Sequence, residues 1–580
     1  MGQSMRLLSV GVNNYKGIQG DIKNNTIQFD TSSAIFIFGQ NNVGKSTFLH
    51  AYEAFYDDNV NPEDFTYGSK NDIIIELALK IIEKEDRERI DLGTGNKFDN
   101  LKNKYLKNDI LKLRKTWKYS EGGKTSFNET YNIQDKKWED TGYGGVGLHP
   151  AFQALIMRPL FIQAMPTEPQ VERIVNEVLR EAATKKLSNA QSKELKEAEA
   201  KITALQEIAY SKDTIDAYRE KVNQKFKTLF SSYEVSIDDG TSKLKYTHDK
   251  LGKDFKIGFN QLSTNTPSSY MQMGHGAVRM AIFLLMLMRD ELRDEGLSSK
   301  NFLVLFEEPE LFLHPSLTKK LRNLIYEVSG NDMPFQIICA SHSPQMIDIG
   351  KEHTSLVRMI KETDGKTNLF QVSKEDLTNE EQKTKDEVKQ KIYEVLRFDP
   401  FVCESFYADE VVLVEGDTEA IIWRGYEQGI GLNDKEIFVV NCHTGNNIPF
   451  YQKLFSKFNI PYSIICDTDH RLISDPESTN NNGWNRKTVS PSFDSHIQKT
   501  IYDQFTEDKK NGKARHFLVF PITFEPCHVN LRSELAYDDA GSEGKPFKAD
   551  RYWKKLLQSK ALPEFADVPI IKAIQTILEI

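Results

Sequence analysis

The sequence predicts an α/β protein of several folding units, and three observations carry that reading. An apolar run, AIFIF at Ala34–Phe38, leads into G-x-x-x-x-G-K-S at Gly39–Ser46 and then into a stretch of helical spacing, STFLHAYEAFY. A second apolar run, FLVLF at Phe302–Phe306, ends in two adjacent carboxylates, Glu307 and Glu308. Further on, EVVLV at Glu410–Val414 and YSIIC at Tyr462–Cys466 also end in acidic residues. Buried strands that deliver polar groups at their carboxyl ends are how α/β sheets bind ligands.

At 580 residues the chain is too long for one core, and roughly three or four folding units are expected. With 39% hydrophobic and 27% charged residues it has a globular rather than a disordered composition. No apolar run reaches the roughly 18–20 residues that span a bilayer, so no membrane contact is expected. The start, MGQSMRLL, has no apolar signal core, and Arg6 stands where a myristoylation motif needs Ser or Thr. Cys339, Cys403, Cys442, Cys466 and Cys527 form no C-x-x-C pair, which reads as buried thiols in a reducing cytoplasm. A net charge of −9 argues against nucleic-acid binding through the overall field but leaves local patches open. Lys102–Lys118 is one such patch, rich in Lys and Arg and interleaved with Tyr105 and Trp117, and equally a solvated face beside a strand pair.

Taken in order, RLLSVGVNNYKGIQG reads as an edge strand broken by a turn at Asn13-Asn14, followed by strands at TIQFD and AIFIF. Asn71–Ile82 reads as a strand, and Tyr105–Trp138 as antiparallel strands with a hairpin at Gly122-Gly123. From about Glu168 to Phe230 the composition turns helical, with Leu195, Ala198, Ile202, Leu205 and Ile208 on one stripe. Strands return at SYEVSI, LKYTHD and FKIGFN, and Gly274 and Gly276 precede an apolar helix. A strand at Phe335–Pro344 ends in His342, and a polar link at Lys361–Lys391 leads to a new domain near Glu404.

The chemistry follows from these placements. A glycine turn between strand and helix lets backbone N–H groups wrap a triphosphate, with Lys45 on the outer phosphates and Ser46 on Mg²⁺. Glu307 and Glu308, adjacent at a strand end, are costly without a cation; one suits a metal, the other an attacking water. In the second half Gly416 permits a tight turn that lets Glu415 and Glu419 converge one helical turn apart. Asp467 and Asp469, at i and i+2, share a face of the chain. Four carboxylates at two strand ends make a hard-oxygen cluster for Mg²⁺ or Mn²⁺.

The first part resembles the ABC-type ATPase heads of the SMC, RecF and OLD proteins. The residues that carry the resemblance are NYKG at Asn14–Gly17, the phosphate loop, Gly274-His275-Gly276, EEPE at Glu307–Glu310 with His314-Pro315, and SHS at Ser341–Ser343. It implies ATP held by Gly39, Asn42, Gly44, Lys45, Ser46 and Thr47, and Glu307 as the Walker B carboxylate, where Asp is usual. Glu308 would be the general base, Gln163 the Q-loop residue, Gly274 and Gly276 the signature loop, and His342 the switch histidine. A signature loop completes a neighbouring head's site, so a homo-oligomer, dimer or higher, is implied.

E-G-x-x-E at Glu415–Glu419, FVVNCHTGNN with Gly445, and D-x-D at Asp467–Asp469 resemble a Toprim domain. That order after an ABC-type head is distinctive of the OLD (overcoming lysogenization defect) family of ATP-dependent endonucleases. The resemblance implies Glu415 as base and metal ligand, Glu419, Asp467 and Asp469 as metal ligands, and Glu525 as a later acid. Lys545 would stabilise the phosphate, with Lys548 as a competing choice. The implied fold is an ABC-type head, 1–165 and 233–375, with a helical insertion or dimerisation arm at 166–232. A linker at 376–403 then leads to a Toprim domain with a central parallel sheet at 404–580.

The implied function is metal-dependent DNA cutting coupled to ATP, with Mg²⁺ or Mn²⁺ as the metal. It is similar to Gabija-like or retron-associated anti-phage effectors, some working with a helicase and some with a retron reverse transcriptase and its RNA–DNA product. A topoisomerase would need a further domain with a catalytic tyrosine, and a primase a template-binding module. The competing reading is a non-cutting RecF- or SMC-like repair ATPase with the Toprim domain as a binding module, which four retained carboxylates disfavour.

Overall fold

The structure is a computed structural model. It describes residues 7–29, 33–66, 71–83, 86–87, 97–119, 125–140, 155–165, 172, 176, 212–229, 233–239, 255–261, 266–268, 274–288, 302–328, 335–348, 354–372, 402–430, 435–468, 497–521, 523–559 and 567–579. The chain divides into two compact units, Met1–Leu369 and Phe370–Ile580.

In the first unit β1 (Leu7–Asn13) and β2 (Thr26–Gln28) precede β3 (Ala34–Phe38), whose five residues are all buried, and α1 (Lys45–Asp57). β4 (Ile73–Lys80), α2 (Lys97–Tyr105), β5 (Ile110–Lys118), β6 (Thr125–Asn132), β7 (Lys137–Asp140) and β8 (Arg158–Ile162) follow. Next come α3 (Lys212–Leu229), β9 (Tyr233–Asp239), β10 (Phe255–Gln261), β11 (Thr266–Ser268) and the apolar α4 (His275–Met288). β12 (Phe302–Glu307), α5 (Pro315–Val328), β13 (Phe335–Ala340) and β14 (Thr354–Lys361) follow, and β15 (Thr367–Val372) begins in this unit and crosses the division after Leu369.

These strands form three sheets, ordered β2-β1-β4-β5-β6-β7, β11-β10-β9 and β15-β14-β3-β13-β12-β8. The first two are antiparallel. In the third, β14, β3, β13, β12 and β8 run parallel, so β3, β13, β12 and β8 all deliver their carboxyl ends to one edge. Ile35 and Ile37 of β3 and Phe48, Leu49 and Tyr52 of α1 join Leu303, Leu305 and Ile338 in one core. The Tyr52 hydroxyl donates to the Met157 carbonyl at 2.7 Å, tying α1 to the start of β8.

The second unit runs β16 (Glu410–Val414), α6 (Asp417–Ile430), β17 (Ile437–Asn441), α7 (Ile448–Lys457) and β18 (Tyr462–Asp467). It continues through α8 (Ile497–Lys510), β19 (Ala514–Phe520), the short α9 (Phe524–Val529), α10 (Lys545–Gln558) and α11 (Pro569–Leu578). Its sheet, β17-β16-β18-β19, is parallel throughout. Two polar devices fix it internally. Asp508, buried, accepts from Ser456 at 2.8 Å and Tyr462 at 2.7 Å, joining α7, β18 and α8. His528, fully buried, has Nδ1 2.7 Å from the Phe524 carbonyl while Nε2 accepts the Ile570 N–H at 3.0 Å. One nitrogen faces an acceptor and the other a donor, so the ring is neutral, and burial pushes its pKa down to about 4.

Several expectations need correcting. β1 is not an edge strand: it lies between β2 and β4, with Val10 and Val12 fully buried, and three-residue β2 takes the edge. Lys361–Lys391 is not all link, because Thr367–Val372 is a strand hydrogen-bonded beside β14. Tyr105 ends a helix, and the antiparallel stretch begins at Ile110. Gly276 lies within the first turn of α4 rather than before it. The Leu195–Ile208 stripe, LKYTHD, all of the linker at 376–403 except Val402 and Cys403, and Asp469 lie outside the described residues.

The basic segment Lys102–Lys118 is largely absorbed by its neighbours. Lys102 pairs with Glu83 at 2.8 Å, Lys104 with Glu139 at 2.8 Å, and Arg114 Nε with Glu76 at 2.8 Å. Lys115 is buried and donates to the Phe55 carbonyl at 2.7 Å, and Trp117 is fully buried. Of the cysteines, Cys339, Cys442 and Cys466 are buried, while Cys403 and Cys527 are half-buried.

Candidate functional site

In the first unit four neighbouring strands each deliver one element. The phosphate loop follows β3, Glu307 and Glu308 end β12, His342 follows β13, and Gln163 follows β8. The loop needs its glycines: Gly39 has φ +146°, and a Cβ there would lie 2.2 Å from the Met359 carbonyl oxygen, while Gly44 caps α1 at φ +111°. Asn42 also has positive φ, 63°, a region Asn tolerates better than most residues. Lys45 is 4% exposed, and its ammonium donates to the Gly39 and Gln40 carbonyls, each at 2.7 Å. Burial pushes its pKa down to about 8, against the pull of Glu308 and Glu310. Ser46 and Thr47 follow it in the first turn of α1.

Glu307 accepts the Ala164 N–H at 3.2 Å, which places the backbone beside Gln163 against this carboxylate. Glu308 sits at φ 41°, donates its N–H to the Ala340 carbonyl at 2.8 Å, and faces His342 Nε2 at 3.6 Å. Burial and the nearby Lys45 charge hold His342 below the usual histidine range. Lys45, Glu308 and His342, read separately from the sequence, are therefore brought together.

Two neighbours take their roles from the fold: Glu310, and Arg279, which the resemblance groups only with Gly274 and Gly276 as keeping the shape of the signature segment. Glu310, pushed up by burial, accepts from the Ser341 hydroxyl at 2.9 Å and the His342 N–H at 2.8 Å, and so positions the histidine loop. Arg279, 1% exposed, donates to the carbonyls of Glu307 and, at 2.7 Å, Glu308, linking α4 to the carboxylate turn. Arg279→Ala would leave buried carbonyls without donors and is expected to destabilise the unit by about 3 kcal/mol or more, read as a lowered denaturation midpoint. The glycines before it divide: Gly274 is open to solvent, while a Cβ on Gly276 would meet Leu313 Cδ2 at 2.7 Å and the Phe312 carbonyl oxygen at 2.9 Å. Gly276 is thus required for packing, and Gly274 alone presents a free surface.

In the second unit the carboxyl ends of β16 and β18 meet. Glu415, just past β16, accepts the Asp467 N–H at 3.0 Å. A Cβ on Gly445 would lie 3.4 Å from Glu415 Oε1, so the glycine turn after β17 closes against this carboxylate. That turn is pinned by Asn447, which donates to the Cys442 carbonyl at 2.8 Å. Glu419, 5% exposed, accepts the Gly416 N–H at 3.2 Å. Burial, reinforced by Glu415, pushes Glu419 up to about 7.

Glu525, at the start of α9, and Lys545, the first residue of α10, face each other at 3.5 Å. Partial burial alone would lower the Lys545 pKa, but Glu525, Asp467 and Glu419 hold it above its usual value. Burial alone would raise Glu525, but its own backbone, Thr523 and Lys545 hold it low. The competing lysine, Lys548, is committed instead to Asp539 at 2.9 Å. Cys527, unassigned in the sequence, lies near Asp467 and Glu525, and burial pushes its thiol up to about 11.

Among the described residues no three His, Cys, Asp or Glu side chains already stand as a ligand set. The donor chemistry nonetheless fits a divalent cation. Glu419 is buried beside Glu415, and a cation between carboxylates favours the charged form that burial opposes. Ligands must be deprotonated to bind, so Mg²⁺ or Mn²⁺ affinity is expected to rise as pH increases through about 7, with proton release measurable by calorimetry in buffers of different ionisation heat.

Residues 161–347 match the AAA ATPase domain, and residues 406–469 match the Toprim domain of overcoming lysogenization defect protein-like proteins. The chain is 21% identical over 508 residues to the Old nuclease of Escherichia phage P2, covering 80% of this chain and 78% of that one. It is 20% identical over 491 residues to the endonuclease GajA of Bacillus cereus, covering 75% and 70%. It is 29% identical over 169 residues to the OLD nuclease of Thermus scotoductus, covering 29% and 30%. A phosphate-loop head and a Toprim sheet in one chain define an ATPase–Toprim protein. In that combination the chain is similar to the nucleases of the OLD family.

Among the described residues no helix is long and apolar enough to cross a membrane.

Proposed function

We propose that the chain is an ATP-coupled endonuclease that hydrolyses DNA phosphodiesters in its second unit. The observation that carries this is the meeting of Glu415, Glu419 and Asp467 at the ends of β16 and β18 with Lys545 beside them. Glu415, Glu419, Asp467 and Asp469 would hold one or two Mg²⁺ or Mn²⁺ ions, with Glu525 as a further ligand. Bound there, the metal would activate water and steady the leaving oxygen. The chain supplies the rest: Glu415 takes up the water's proton, and Lys545 offsets charge gathering on the phosphate.

In the head, Gly39, Asn42, Gly44, Lys45, Ser46 and Thr47 bind the ATP phosphates, and Ser46 and Glu307 hold Mg²⁺. Glu308 acts as base, Gln163 and His342 sense the γ-phosphate, and Gly274 meets the nucleotide of a second head in a homo-oligomer, while Gly276, expected beside it, serves packing within its own head. The arm at 166–232 is inserted within the head (1–165 and 233–375), and the linker at 376–403 joins the head to the Toprim domain at 404–580. We place the protein in the cytoplasm as an anti-phage effector, working with a helicase or with a retron reverse transcriptase and its RNA–DNA product.

The test is plasmid nicking by purified protein in Mg²⁺ or Mn²⁺, with and without ATP. Metal-dependent nicking is expected. If nucleotide binds but plasmid stays intact under every condition, the non-cutting repair-ATPase reading replaces this one.

A further inference from the structure

The parallel pairing of β12 with β13 puts Glu307 opposite Ala340, so the two strands end side by side and the turns that follow them carry Glu308 and His342. Hydrogen bonds stitch those turns together on both sides of the pair. On one side the Glu308 N–H donates to the Ala340 carbonyl at 2.8 Å. On the other, Glu310 Oε1 accepts the Ser341 hydroxyl at 2.9 Å and the His342 N–H at 2.8 Å. Between them Glu308 Oε1 and His342 Nε2 stand 3.6 Å apart. Glu308 keeps this place at φ 41°, a backbone region that costs a non-glycine residue energy and lasts only where the surroundings impose it.

Glu310 Oε2 has no hydrogen-bond partner among the described residues, so Oε1 carries the contact with the histidine loop. One acceptor thus fixes a hydroxyl and a main-chain N–H of that loop, and it sits on the same short turn as Glu308. A shift of either turn is passed to the other, and the reach from base to imidazole stays constant. We propose that Glu310 sets how this head tells ATP from ADP, by fixing where His342 can meet a third phosphate. It is a positioning residue that acts through the histidine, and it acts as a hydrogen-bond acceptor rather than as a charge. The inference rests on the reading of His342 as the γ-phosphate sensor.

The experiment uses the full chain and two probes in Mg²⁺, a fluorescent non-hydrolysable ATP analogue and the matching ADP, and the readout is the ratio of their affinities. A general loss of structure weakens both and spares the ratio, whereas loss of sensing lowers it. A hydrogen bond to a charged group is worth about tenfold or more in affinity, so His342→Ala and Glu310→Ala are each expected to lower the ratio about tenfold. The double variant is expected to lose no more than either single one, because one residue acts through the other. Glu310→Gln keeps an oxygen that accepts from the same two donors and is expected to retain the wild-type ratio. Losses that add in the double variant, or a Gln variant as impaired as the Ala variant, would overturn the proposal. An unchanged ratio in Glu310→Ala beside a lowered one in His342→Ala overturns it alone. If His342→Ala leaves the ratio unchanged, the sensor reading fails and the proposal falls with it.

Discussion

Asp467→Ala is expected to abolish nicking while leaving nucleotide binding intact. The substitution removes a carboxylate at the end of β18 but keeps the Asp467 N–H that Glu415 accepts at 3.0 Å, so the partner acid stays anchored. The change is therefore chemical, not architectural. Loss of groups that merely orient metal ligands costs 10–100-fold, so loss of a ligand itself is expected to lower cutting by about 100-fold or more. Nicking assays beside titration with a fluorescent ATP analogue check both halves. Undiminished cutting would remove Asp467 from the metal site.

Lys45→Ala has the second large effect, on the nucleotide. Charge-assisted contacts to phosphate are worth about 1.5–3 kcal/mol, so affinity is expected to fall about 10- to 150-fold. The wild type carries a pH signature that the variant lacks. Burial lowers the Lys45 pKa to about 8, so above that pH the free protein has a neutral amine that must gain a proton to meet phosphate. Wild-type affinity therefore weakens as pH rises through about 8, while the variant shows no such step there. Equal pH profiles would place the lysine outside the phosphate site. Any response of cutting to ATP should disappear with Lys45, whichever direction that response takes.

Most of what positions these sites was readable because strand ends announce themselves. AIFIF, FLVLF and EVVLV are short apolar runs closed by glycine or acid, and all three are buried strands in parallel sheets. What escaped was polar structure whose partners are distant in sequence. Arg279 reads as one charge in an apolar helix, and only folding brings it under the carbonyls of Glu307 and Glu308. Glu310 looked like part of a motif, but its role depends on Ser341 and His342, which reach it from another strand. β1 was misplaced because strand position follows from pairing order, which alternation does not encode. Lys545 and Lys548 could not be separated by sequence, since the first lies in and the second just after one Gly-Lys-Pro turn; their different partners, Glu525 and Asp539, distinguish them.

The imidazole wedged between Phe524 and Ile570 makes the second unit answer to acidity through a residue that performs no chemistry. Its ring accepts the Ile570 N–H through the nitrogen that a second proton would occupy, so charging it sets two donors face to face. With a folded value of about 4 against an ordinary value near 6.5, the contact stabilises fully above pH 6.5 and loses its effect as pH falls towards 4. The short helix that bears Glu525 is fastened to α11 by that contact. Acid would thus loosen the wall of the carboxylate centre while the parallel sheet beneath it still holds, a structural effect that follows, at lower pH, the loss of metal affinity expected below about 7.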